Sequence, residues 1–139
     1  MSRKAPQSPK PTEASGPVLA WCAGHRCTAL HRLGGGDSHA EQIRATVKNT
    51  PGAILITSPC LGRCELAGVA AAARRDGPSG QIGPMVWFTG LESHDRFEAL
   101  EAWIARGGPL RIHHPGHALP PVLDDAVCGT GPPPRTLRH

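Results

Sequence analysis

The stretch AILITSPCLGRC, residues 53–64, decides how the rest of the chain is read. Its first half, Ala53-Ile-Leu-Ile-Thr57, is a continuous apolar run rich in β-branched side chains, the pattern of a strand buried on both faces. Its second half opens directly onto Cys60 and Cys64, a C-x3-C pair. Upstream, the shorter run Pro17-Val-Leu-Ala-Trp-Cys22 enters another pair in the same way, with Cys22 and Cys27 spaced C-x4-C. Four of the five cysteines thus stand in two tight pairs, each at the end of an expected strand.

The segment between the two strands reads as a helix. Asp37 or Ser38 can cap His39-Ala-Glu-Gln-Ile-Arg-Ala-Thr-Val-Lys48, in which Ala40, Ile43 and Val47 fall at helical spacing, and Asn49-Thr-Pro51-Gly52 ends it. Beyond the second pair, Val69–Arg74 and Met85-Val-Trp-Phe-Thr89 flank a turn-rich segment, Arg75-Asp-Gly-Pro-Ser-Gly80, and read as a hairpin although alanine favours helix. Ser93 then caps His94–Arg106, where Phe97, Leu100, Trp103 and Ile104 form an apolar stripe suited to covering a sheet, and Gly107-Gly108 stops the helix. The expected order is β-α-β-β-β-α. Its β-α-β unit has parallel strands joined by a right-handed crossover. The expected fold class is α/β, a sandwich of thioredoxin type with flexible N- and C-terminal tails. In it the two cysteine-bearing strand ends lie side by side.

Composition sets the limits. A chain of 139 residues holds one domain, and the apolar share of 39% is modest. Most of the 15 prolines lie near the termini. Residues 1–17 are therefore expected to be a disordered tail, 18–109 the folded domain, and 110–139 a Pro/Gly-rich C-terminal tail. A core of roughly 90 residues is small enough to be helped by a metal or cofactor. The net charge of +4 comes from twelve Arg and three Lys against eleven acids, with part of the excess in Arg3, Lys4 and Lys10. No basic run interleaves with aromatics, so nucleic acid is not an expected partner. The chain shows no secretory leader pattern and no long apolar window, so a cytoplasmic protein without membrane spans is expected. Structural disulfides are rare in that compartment, and paired cysteines there are metal ligands or redox groups.

Thiolates select zinc, copper(I) or iron–sulfur clusters. Four-cysteine zinc sites mostly use C-x2-C knuckles, and thiol–disulfide enzymes of thioredoxin type use C-x-x-C. A [2Fe-2S] rhomb takes two sulfurs on each iron and tolerates wider loops. These spacings leave open a [2Fe-2S] protein, a four-cysteine zinc-binding interaction module and a metal-free thiol protein.

The C-x4-C pair, about thirty residues and then a C-x3-C pair after an apolar strand resemble the thioredoxin-like [2Fe-2S] ferredoxins, a group that includes the small cluster-bearing subunit of NADH dehydrogenases. ILITSPCLGRCELAGVAAA and the later MVWFTGL carry the likeness, which covers about Val18 to Arg106. The resemblance implies that Cys22 and Cys27 hold one iron and Cys60 and Cys64 the other. It implies one-electron transfer to or from a redox partner protein, and it allows a homodimer. Only 21 residues precede Cys22, so a stand-alone carrier fits better than the respiratory subunit with its larger N-terminal region.

Around the ligands, Gly24 and Gly62 allow backbone N–H groups to approach a negative cluster, and Arg26 and Arg63 are positioned to raise its potential or simply to be solvated. His25 is not needed as a ligand beside four cysteines. Pro59 shapes the second loop, and Glu65 reads as a loop charge. Cys128 is the odd thiol, expected to be free in a mobile tail. His113, His114 and His117 sit in the same Pro-rich stretch and are read as part of that tail rather than as a metal site. No other catalytic constellation stands out.

Overall fold

A computed structural model of the chain describes residues 15–33, 38–58 and 68–132. Strand β1 (Gly16–Cys22) is the centre of the wound part of the fold. It pairs in parallel with β2 (Ile54–Ser58), as a β-α-β unit requires. On its other side it pairs antiparallel with β3 (Ala70–Arg75), which forms a hairpin with β4 (Met85–Phe88). Helix α1 (His25–Leu33) follows β1, and α2 (His39–Lys48) leads to β2. Helix α3 (His94–Ala105) follows β4. A single turn, α4 (Pro121–Asp124), and a last strand, β5 (Val127–Gly131), complete a five-stranded open sheet ordered β2-β1-β3-β4-β5. The class is mixed α/β, as expected.

Alternation along the strands gives the sheet two buried faces. Leu19 and Trp21 of β1, Ala70 and Ala72 of β3, and Val86 and Phe88 of β4 face α2 and α3, which contribute Ile43, Val47, Phe97, Leu100, Trp103 and Ile104. Val18, Ala20, Cys22, Ala71, Ala73, Met85 and Trp87 fill the opposite face, joined by Cys27 of α1 and by Val69. The alanines of β3 are helix formers in isolation. In the sheet they separate bulky neighbours. Ala70 lies between Trp21 and Phe88, and Ala72 between Leu19 and Val86. Large side chains flanking small ones fill the layer without overpacking, and this tertiary fit overrides the local preference. Helix α3 ends as its glycines suggest. Gly108 N–H donates to Trp103 O at 2.8 Å and Gly107 N–H to Ile104 O at 2.9 Å.

Two expectations about element order need correction. The cysteine-bearing turn after β1 is a helix, α1, because Thr28 N–H closes onto Gly24 O at 2.9 Å and the chain continues helically to Leu33. The segment beyond Pro109, read as a flexible tail, carries α4 and β5. Proline starts α4 at a position where its missing N–H is harmless, and Leu123 and Ala126 are buried in the main core. Strand β5 pairs with β4, Met85 opposite Gly131 and Phe88 opposite Val127, with a bulge at Cys128. At the other end, β1 begins at Gly16, within the stretch expected as the N-terminal tail. Residues 1–14 and 133–139 lie outside the described residues.

Because Leu123 is fully buried, Leu123→Ala should cost about 2–5 kcal/mol of stability. Denaturant unfolding checks this, and a mobile C-terminal segment would show no change.

Candidate metal centre

The parallel register aligns Cys22, the last residue of β1, with Ser58, the last residue of β2. Residues 59–67, which carry Cys60 and Cys64, lie outside the described residues, and so do Pro59, Gly62, Arg63 and Glu65. The described residues that flank that segment both lie beside Cys22. The segment departs from Ser58, and it returns at Gly68-Val69, where Val69 O accepts a hydrogen bond from Cys22 N–H at 3.3 Å. Gly68 has φ of +59°, and a side chain there would come within 2.7 Å of Leu91 N, so the return needs glycine.

The first pair is described directly. Cys22 is 8% exposed and Cys27 4%, and both belong to the apolar cluster on one face of the sheet. Cys27 lies in the first turn of α1. There the backbone N–H groups have no intrahelical partners. The side chains of His25 and Arg26 lie outside the described residues. Among the described residues, no group of three or more His, Cys, Asp or Glu could hold a metal ion. Two of the four expected ligands fall outside that set.

A ring of four aromatic side chains seats α1 against the sheet. It takes one residue from each of β1, α1, α2 and α3. Trp21 packs on His31 with ring centres 4.9 Å apart and meets Phe97 edge-on at 5.8 Å. His31 and His39 share a hydrogen bond between their Nδ1 atoms at 2.8 Å, and His39 stacks flat on Phe97 at 3.8 Å. Cys27 and His31 are one helical turn apart, so the ring that holds His31 also fixes the start of α1. Sequence reasoning did not single out either histidine. The two lie on different helices, and no local signal marks a pair that only the fold brings together.

One imidazole of the pair must donate while the other accepts, so the bond requires at least one neutral ring. Burial, and then the charge of His39, lowers the His31 pKa to about 4. Burial, and then His94, lowers that of His39. Arg32 and Glu41 stand at the rim of the adjoining cavity of about 230 Å³.

Cys128, expected in a tail, is exposed on β5, and its Sγ–H donates to Trp87 O at 3.5 Å. Three strands separate β5 from β2, so Cys128 stands apart from the centre. Among the described residues, no helix is long and apolar enough to cross a membrane. Comparison with protein-family models, curated proteins and solved structures found no match.

Since both histidines favour the neutral form when folded, the unfolded chain binds more protons below pH 6.5. Their contribution to stability is complete above about 6.5 and is lost as the pH falls toward 4. The loss at pH 5 should be on the order of 2 kcal/mol. Denaturant midpoints at pH 7.5 and 5.0 measure it, and His31→Gln should narrow the difference.

Proposed function

We propose that the chain is a small iron–sulfur protein of the thioredoxin-like ferredoxin type, carrying one electron for a redox partner protein in the cytoplasm. Cys22, Cys27, Cys60 and Cys64 would hold a [2Fe-2S] cluster. The observation that carries this reading is that Ser58 and Val69, described residues on either side of the segment bearing Cys60 and Cys64, both lie beside Cys22, through the Cys22–Ser58 register and the hydrogen bond to Val69. The parallel β1-β2 pairing with its antiparallel β3-β4 extension supports the finer fold assignment.

The described donors fit such a group. Two sulfurs in one apolar cluster, at a strand end and a helix start, suit soft metal chemistry. When bound, the cluster supplies a one-electron site whose total charge moves from about −2 to −3. The protein contributes the surroundings. Val69, Ala71, Met85 and Trp87 keep water from the sulfur side of the sheet. The N-terminal turn of α1 offers unpaired N–H groups to negative sulfur. The Cys22 N–H is tied to Val69 O, which holds the ligand's backbone still. A net charge of +4 favours an acidic partner surface, with neither nucleic acid nor membrane required, and a homodimer is compatible with this reading.

Anaerobically purified protein should be brown, with two irons and two sulfides per chain and an EPR signal on one-electron reduction. A colourless protein holding one zinc per chain would instead identify a four-cysteine zinc module. Cys22→Ser should abolish the colour and lower stability by more than about 2 kcal/mol, because the bound group stabilises only the folded chain. Cys128→Ser should leave the colour unchanged and the stability within about 0.5 kcal/mol of the parent.

A further inference from the structure

A second feature lies at the opposite edge of the sheet. Residues 110–119 cross the end of the molecule in successive turns. His114 N–H donates to Arg111 O at 3.2 Å, and His117 N–H donates to His114 O at 3.0 Å. Spacing by three across two such turns puts Arg111, His114 and His117 on one side of the segment. With His113, Pro115, Gly116 and Thr130 of β5 they line a cavity of about 420 Å³.

The segment is held in shape. Pro115 is buried, and the Ile112 backbone lies so close to Gly83 that a side chain at Gly83 would collide with it. Ala118 has φ of +61°, in the left-handed region that non-glycine residues seldom adopt, and it is the one such residue among those described. Backbone held in that region is often tied to function.

The chemistry of the lining is one-sided. It holds a guanidinium, three imidazoles and a hydroxyl, and no carboxylate. Among the described residues, none of the four basic side chains engages in a hydrogen bond or ion pair. The imidazoles do not converge as metal ligands would. All three line the wall together with Arg111, a donor set that suits an anion with several acceptor oxygens. Arg111 supplies a permanent charge and a planar fork of donors that matches phosphate. The volume exceeds that of inorganic phosphate and falls in the range of small-molecule sites.

We propose that this cavity binds the phosphate group of a phosphorylated small molecule. The site does not depend on the iron–sulfur reading, because β5 is separated from β1 by two strands. The test is a two-dimensional NMR titration of the full chain with inorganic phosphate and with ribose 5-phosphate at constant ionic strength. Saturable shifts centred on residues 111–117 and Thr130 are expected with both probes. Arg111→Gln should weaken both at least tenfold without lowering the melting temperature, since Arg111 is exposed. Shifts that do not saturate, shifts centred elsewhere, or an unchanged affinity in Arg111→Gln would overturn the proposal. His114→Gln, also at an exposed position, provides a second variant with the same expected direction.

Discussion

The parallel pairing of β1 with β2 is the constraint on which the rest of the structure depends. Parallel neighbours finish at the same edge of a sheet, so whatever follows one strand emerges beside whatever follows the other. Here the register aligns Cys22 with Ser58, and the chain segments that carry the two cysteine pairs begin at that one edge. An antiparallel pairing of the same strands would send the pairs to opposite ends. Topology, rather than any single contact, makes a shared centre geometrically available.

That pairing is held in place by what surrounds β1. On one side β3 offers alanines, which let Trp21 and Leu19 share a layer with Phe88 and Val86 without crowding. Below the sheet, α2 and α3 pack Ile43, Phe97, Leu100 and Ile104 against those large side chains. The ring of Trp21, His31, His39 and Phe97 then joins α1 to the same layer. The helix that carries Cys27 is therefore fixed by a packed ring that contains none of the cysteines. Its neutral histidine pair makes that support sensitive to acid.

Much of the fold was legible because its signals are local. The apolar run 53–57, the helix over His39–Lys48 and the stripe from Phe97 to Ile104 all appear where the sequence pattern puts them, within a residue or two, although neither Ser38 nor Ser93 makes the side-chain cap hydrogen bond expected of it. The alanine strand was readable only through the turn that follows it. Helix α1 was missed because HRCTALHRL has a weak apolar stripe and its first turn looks like a cysteine loop. The C-terminal strand was missed because VCGTG holds two glycines and follows a proline-rich stretch; it is ordered by pairing with β4, a tertiary effect. The cysteine spacing was visible at once. The histidine pair and the basic cavity were not, since each assembles residues whose proximity exists only after folding.

The claim that two cysteine pairs share one neighbourhood can be measured without any metal. Iron-free protein treated with a short bifunctional thiol reagent should link Cys22 or Cys27 to Cys60 or Cys64 as well as within each pair, as mapped by mass spectrometry of proteolytic fragments. Links that join either pair to Cys128 and never to the other pair would contradict the shared centre.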